Sequence, residues 1–96
     1  MNILIIEDER PNAERLKRLI LGIKPQANIL SVLESVSESV EWLDSHEKPD
    51  LIMMDIKLSD GLSFEIFDKT QLVDVPIIFT TAYDEYAIKA FKQYSI

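Results

Sequence analysis

The fold is decided by ILIIED at residues 3–8, an apolar run that stops at two carboxylates. A second run of the same kind, LIMMD, occupies residues 51–55. Buried strands of a parallel sheet are continuous apolar runs, because helices cover both faces of such a sheet. If the two runs are neighbouring strands, Glu7, Asp8 and Asp55 meet at one edge of the sheet. Three carboxylates at about 5 Å repel one another by roughly 3 kcal/mol per pair at an effective dielectric near 20, so we expect a divalent cation among them.

Length, charge and composition limit the class of protein. The 96 residues, 47% of them hydrophobic, predict one compact domain over residues 1–96. The 17 acidic and 10 basic residues give a net charge of −7, which opposes direct binding to nucleic-acid phosphates and to anionic membranes. The chain has no cysteine, so disulfides and thiolate metal ligands are excluded. No apolar run reaches the length of a signal-peptide core or a membrane span, and we expect a cytoplasmic protein.

The order of the segments predicts an α/β fold. Strand-like apolar runs alternate with amphipathic stretches, as in βαβ units joined by right-handed crossovers. The four predicted strands cover residues 2–7, 28–33, 50–54 and 75–80. We therefore expect a doubly wound parallel sheet of the flavodoxin-like order 2-1-3-4, continued by a fifth strand where one is present.

Four helices are predicted between and after these strands. The first begins near Pro11 and ends at Gly22 and Pro25. Its apolar face is predicted to hold Ala13, Leu16, Leu19, Ile20 and Ile23. In the second helix, Ser35 and Glu38 form a capping box, and Val36, Val40 and Leu43 face the core. The segment 57–61 has turn composition, and a third helix follows over about 62–72. A fourth helix carries an aromatic stripe that we interpret as packing: Tyr83, Tyr86, Phe91 and Tyr94.

The acids at the strand ends predict phosphoryl chemistry. Ligands of a doubly wound sheet bind beyond the carboxyl ends of its strands, at the point where the strand order reverses. A hard cation held by a few carboxylates, a main-chain carbonyl and water suits Mg²⁺. With such a cation, Asp55 can act as the nucleophile toward a phosphoryl donor, and a threonine hydroxyl after the fourth strand can donate to the transferred oxygens. The added negative charge would make the domain a switch.

Other interpretations of the same residues remain open. Asp8 or Asp55 alone could be a hydrated strand end or the cap of the next helix, although their joint occurrence favours a site. His46 fits a solvated helix end, and Trp42 fits a partly covered packing residue. The acidic pocket could be a relic in a phosphate-independent protein-interaction module. A Mg²⁺-dependent phosphohydrolase is disfavoured, because Lys57 stands where such enzymes commonly carry a second acid.

The segments 3–9, 49–56 and 76–82 resemble, in order and spacing, a response-regulator receiver domain, the phosphoacceptor half of bacterial two-component signalling. The segment 79–91 further resembles receivers that precede LytTR-type DNA-binding domains. Any contact with DNA would then belong to another domain of the regulator or to a partner.

The resemblance implies roles for particular residues. Asp55 would be phosphorylated by a sensor histidine kinase. Asp8 and Asp55 would touch Mg²⁺ directly, Glu7 would act mainly through water, and the main-chain carbonyl of Lys57 would complete the protein ligands. Thr81 matches the switching hydroxyl, because an alanine follows it.

The family pattern also extends beyond this chain. It continues after the fourth helix with a fifth strand, which carries a switch aromatic and a phosphate-pairing lysine, and with a fifth helix, none of which is present in residues 1–96. We therefore expect a receiver domain that is incomplete at its C-terminus, with slow phosphorylation, because the site lacks one positive charge. The fourth strand would be an open edge, which predicts a homodimer or another association through that strand.

Overall fold

The computed structural model describes residues 1–71 and 74–80. The elements in chain order are β1 (Asn2–Ile6), α1 (Arg10–Ile23), β2 (Asn28–Leu33), α2 (Val36–Ser45), β3 (Leu51–Met54), β4 (Lys57–Leu58), β5 (Gly61–Leu62), α3 (Phe64–Lys69) and β6 (Ile77–Phe79). The predicted fourth helix, its aromatic stripe and Thr81 lie outside the described residues. In the part of the chain that is described, no helix has the length and apolarity to cross a membrane.

Four parallel strands form one sheet in the order β2-β1-β3-β6, which confirms the predicted 2-1-3-4 topology. Ile6 at the end of β1 pairs with Met54 at the end of β3, and Met54 pairs with Phe79 at the end of β6. The ladder continues one residue further, since Asp55 N–H donates to Ile6 O and Thr80 N–H donates to Met54 O, both at 2.9 Å. The residues that follow these strands therefore lie side by side at one edge of the sheet.

The central strands β1 and β3 carry the core. Successive residues of a strand point to opposite faces, so Leu4 and Ile6 pack with α2 and α3, whereas Ile3 and Ile5 pack with Ile20 of α1. All four of these β1 side chains are buried. Burial on both faces is the reason that the run is continuously apolar.

Helix α1 differs from its prediction at two positions and at its end. Ala13 and Ile20 are buried and Leu16 is half-buried, but Leu19 is 52% exposed and Ile23, the last helical residue, is 80% exposed. Leu19 is wrong as a core residue because it lies about 100° around the helix from Ile20. Gly22 lies within the helix instead of ending it.

Helix α2 begins as predicted. The Ser35 hydroxyl accepts a hydrogen bond from Glu38 N–H (3.1 Å), while the Glu38 carboxylate accepts from Glu34 N–H (3.3 Å), one residue earlier than a standard capping box. Val36 is buried, and the other two predicted core residues pack against the same cluster: Val40 and Leu43. Trp42 is half-buried, as predicted, and its ring stacks on His46 at 4.2 Å between centroids.

The segment after β3 is a hairpin, where the sequence predicted only a turn. Strands β4 and β5 pair antiparallel with Lys57 opposite Leu62 and Leu58 opposite Gly61, so that Ser59 and Asp60 form the tip. We call residues 57–62 the β4–β5 hairpin. Because residue 62 is used in this pairing, α3 begins at Phe64 and is shorter than the predicted 62–72. Gly61 has φ 148°, and a Cβ at this position would collide with Glu65 Oε2.

Candidate functional site

Three acids from two strand ends come together at the carboxyl edge of the sheet. Glu7 and Asp8 follow β1, and Asp55 follows β3. The register that pairs Ile6 with Met54 places them beside one another. One carboxylate oxygen from each residue lies within 4.8 Å of those from the other two. The structure thus brings together the three acidic side chains of the predicted metal site, while their role as ligands stays a prediction.

Glu7 is the buried member of this acidic cluster, with 5% of its surface exposed. Burial, together with the negative charge of Asp55, raises the pKa of Glu7 from an ordinary value near 4.5 to about 7. A hydrogen bond from Glu9 N–H to Glu7 Oε2 (3.3 Å) opposes the shift. A buried carboxylate next to two others is stabilised either by a proton or by a cation, and with a pKa near 7 Glu7 can hold the proton at neutral pH when no cation is bound.

The structure gives Asp8 no helix-capping role. The N-cap position of α1 is Glu9, and among the described residues no side chain caps this helix through a hydrogen bond. Asp55 is oriented by its own backbone, since Ile56 N–H donates to Asp55 Oδ1 at 2.8 Å. Asp8 therefore does not cap the next helix, which was the alternative interpretation of this residue.

The geometry and the donor set fit Mg²⁺. Octahedral coordination at 2.0–2.1 Å places ligand oxygens about 2.9 Å apart when adjacent and about 4.2 Å apart when opposite. The 4.8 Å limit of the cluster is slightly wider, so a small side-chain rotation or one water-mediated ligand brings the oxygens into range. The donors are all carboxylate oxygens, which Mg²⁺ prefers. Arg10, the first basic residue after the pair, instead contacts Glu34 at 3.8 Å.

Lys57 lies two residues after Asp55, in strand β4. Its side chain is exposed, whereas its neighbours Ile56 and Leu58 are buried, so packed side chains flank the main chain at this position. This placement is compatible with the predicted metal contact through the main-chain carbonyl. Thr80 is exposed directly after β6, and the predicted switching hydroxyl, that of Thr81, lies outside the described residues.

Two residues at the hairpin tip were missed by the sequence analysis. Asp60 accepts hydrogen bonds from Val36 N–H (2.6 Å) and Ser37 N–H (3.1 Å) at the start of α2. The Ser59 hydroxyl donates to Glu34 O at 3.2 Å. The composition of residues 57–61 predicted the turn, but the partners of Asp60 lie 24 and 23 residues earlier, a separation at which no local pattern indicates a cap.

Comparison with known proteins shows the class of protein to which the chain belongs. Residues 3–94 match the family described as response regulator receiver domain. The chain is 39% identical over 94 residues to the sensory transduction protein LytT of Enterococcus faecalis, covering 96% of this chain and 38% of that protein. It superposes on the response regulatory domain of protein mrkE from Klebsiella pneumoniae with a TM-score of 0.78 at 30% identity, covering 96% of this chain and 75% of that one. A MaeR response regulator bound to beryllium trifluoride gives a TM-score of 0.71 at 26% identity, with the same coverage of 96% and 75%.

The chain belongs to the response regulator receiver domain family. The match to LytT also confirms the narrower predicted resemblance to receivers of the LytTR type. The chain spans about 38% of the length of that relative. It is therefore a signalling domain of the two-component class, whose members are phosphorylated by sensor histidine kinases.

Proposed function

We propose that this chain is a phosphoacceptor switch in which Asp55 accepts a phosphoryl group from a sensor histidine kinase. Mg²⁺ would be held by Glu7, Asp8, Asp55 and the main-chain carbonyl of Lys57. The observation that carries the proposal is the convergence of the three carboxylate oxygens within 4.8 Å at the carboxyl ends of β1 and β3. Membership of the receiver family supports the same chemistry.

The proposed step is a transfer between two nucleophiles. An oxygen of the Asp55 carboxylate attacks phosphorus, the bond from phosphorus to the histidine nitrogen of the kinase breaks, and an acyl phosphate forms. When bound, Mg²⁺ neutralises charge on the transferred oxygens. The Ile56 N–H that donates to Asp55 Oδ1 holds the carboxylate in one orientation for the attack. The Thr81 hydroxyl would donate to the transferred phosphoryl group.

The output of the switch follows from charge and from the relatives. The acyl phosphate carries nearly two negative charges where the Asp55 carboxylate carried one, and it brings new acceptor oxygens to the sheet edge that can draw a hydroxyl and its loop into a second arrangement. The net charge of −7 opposes direct contact with DNA, so we propose that residues 1–96 act as one cytoplasmic receiver unit that regulates an attached or partner DNA-binding domain. The sensory transduction protein LytT supports this arrangement, because the chain matches only 38% of it and the rest is long enough to hold a further domain.

One observation favours a second function. Because the pKa of Glu7 is raised to about 7 by burial, a proton can replace a cation in the cluster near neutral pH. The pocket would then be stable without metal, as in a phosphate-independent protein-interaction module. Titration with Mg²⁺ separates the two functions, since a relic pocket need not bind the ion.

Beryllofluoride with Mg²⁺, which mimics a phosphoryl group, tests the proposed switch. The titration follows backbone amides by NMR in the wild-type chain and in Asp55→Ala. We expect shifts at Ile56 and at the neighbouring hairpin residues in the wild type, and none in the variant. Amides of a folded wild-type chain that do not respond would contradict the switch. The fold neighbour MaeR, described as bound to beryllium trifluoride, supports the choice of reagent.

A further inference from the structure

The β4–β5 hairpin is fastened to helix α2 by a carboxylate outside the acidic cluster. Asp60 spans the first two amides of the helix, with 2.6 Å from Val36 N to Oδ1 and 3.1 Å from Ser37 N to Oδ2. Ser59 adds a third link, because its hydroxyl donates to Glu34 O at 3.2 Å. The tip of the hairpin is thus tied to the residues that begin α2.

Asp60 does not duplicate the cap that α2 already has. The first amides of a helix have no partner within it. Ser35 Oγ accepts from Glu38 N–H at 3.1 Å, while the Val36 and Ser37 amides donate to Asp60. The same bonds lower the pKa of Asp60, so its carboxylate is ionised at neutral pH and interacts favourably with the positive end of the helix dipole.

The hairpin needs such an anchor. Its ladder has only two residue pairs, Lys57 with Leu62 and Leu58 with Gly61, and a two-stranded ribbon of this size is not stable alone. Burial of Leu58 and the bond from Ser63 N–H to Ile56 O (2.7 Å) hold its base. Asp60 holds its tip. Lys57, the first residue of the hairpin, is the one whose main-chain carbonyl is proposed to contact the metal.

We propose that Asp60 is a positioning residue for the metal site, which fixes the hairpin tip on α2 and thereby sets the main chain at Lys57 beside the acidic cluster. This inference rests on the proposed function. Coupling is reciprocal, so Mg²⁺ at the cluster also stabilises the start of α2. A role limited to helix capping would give Asp60 no influence on the metal.

The test compares Mg²⁺ affinity in four chains: wild type, Asp60→Ala, Asp60→Asn and Ser35→Ala. Affinity is measured by NMR titration of the Ile56 amide. We expect Asp60→Ala to weaken Mg²⁺ binding by about 5-fold or more. Asp60→Asn keeps one oxygen for Val36 N–H, so its Mg²⁺ affinity should fall between those of the wild type and Asp60→Ala. Ser35→Ala removes the other cap of the same helix and changes the affinity by less than about 2-fold.

Hydrogen exchange gives a second measurement on the same samples. Asp60→Ala should speed exchange of the hairpin amides at Leu58 and Leu62, and Mg²⁺ should slow exchange at Val36 and Ser37 in the wild type. If Asp60→Ala does not fold, the Mg²⁺ affinity of Asp60→Asn decides whether Asp60 positions the metal site or only caps the helix.

Three results would contradict the inference, and they differ in what else they remove. Unchanged Mg²⁺ affinity in both Asp60 variants would show that Asp60 only caps the helix. An equal loss in Ser35→Ala would show that the metal responds to the capping of α2 and not to the hairpin tip. The proposed function would survive either result. A folded wild-type chain that does not bind Mg²⁺ would remove the proposed function together with this inference.

Discussion

Glu7 illustrates how the end of a strand fixes the position and the burial of one carboxylate. The backbone continues the ladder, with Glu7 N–H donating to Leu33 O at 2.8 Å, so the side chain stays in the sheet edge next to Asp55 instead of turning to solvent. Burial then raises the pKa of Glu7 to about 7. Between pH 4.5 and 7 the folded state binds a proton at this residue that the unfolded state has lost, so ionisation of Glu7 opposes folding.

The free energy of unfolding of the metal-free chain is therefore expected to depend on pH. Without divalent cations, the contribution of Glu7 to stability falls as pH rises from about 4.5 to about 7, and Glu7→Gln removes that part of the slope. Urea denaturation in a chelator, at several pH values, measures both chains. Mg²⁺ should flatten the wild-type slope, because the cation stabilises the carboxylate. Identical pH profiles of stability for the wild type and Glu7→Gln would count against a raised pKa of Glu7.

The elements differ in how far the sequence predicts them. The strands and their order follow from apolar runs such as 3–6 and 51–54, because a helix-covered parallel sheet leaves no other place for them. The acidic cluster follows from the same runs, since strands in register bring the residues after them together. The β4–β5 hairpin was missed, because Ser59 and Asp60 are simply turn residues by composition. Their role depends on α2, which is distant in sequence and adjacent only after folding.

Gly61 provides a prediction at the scale of the hairpin. It has φ 148°, and a Cβ there would meet Glu65 Oε2, the atom that also accepts from Leu62 N–H. Gly61→Ala is therefore expected to destabilise the chain by about 1–3 kcal/mol, measured by urea denaturation.

Gly22 is the matched control in a helix. Apart from its chain neighbours and the backbone of its own helix, no described atom lies within 4 Å of a Cβ at Gly22, and the backbone there is helical. Gly22→Ala should stabilise the chain by about 0.5–1 kcal/mol. Equal effects of the two substitutions would show that the hairpin does not require glycine.

At the scale of the whole molecule, the described sheet has two edge strands, β2 and β6. Within the described residues, β6 is an edge strand, and Ile78 at its centre is 49% exposed. An exposed apolar edge strand favours pairing with another chain. The expected homodimer or edge association remains a prediction.

Light scattering over a concentration series tests that association. We expect the mass of the wild-type chain to rise above 11.1 kDa with concentration, and Ile78→Lys to keep it monomeric, because a charge on the edge disfavours pairing. Ile23→Lys, which changes an exposed residue of α1 away from the edge, should behave as the wild type does. A folded wild-type chain that stays monomeric at high concentration would refute the edge model.

Phosphorylation itself tests most directly whether the three acids form one phosphoacceptor site. The wild-type chain and Asp55→Asn are incubated with acetyl phosphate and Mg²⁺, and intact-mass spectrometry counts the phosphoryl groups. We predict a single group on the wild type, accumulating slowly, that is absent from Asp55→Asn and from samples treated with a chelator. A wild-type chain that stays unmodified, or a variant that is phosphorylated to the same extent, would contradict the account.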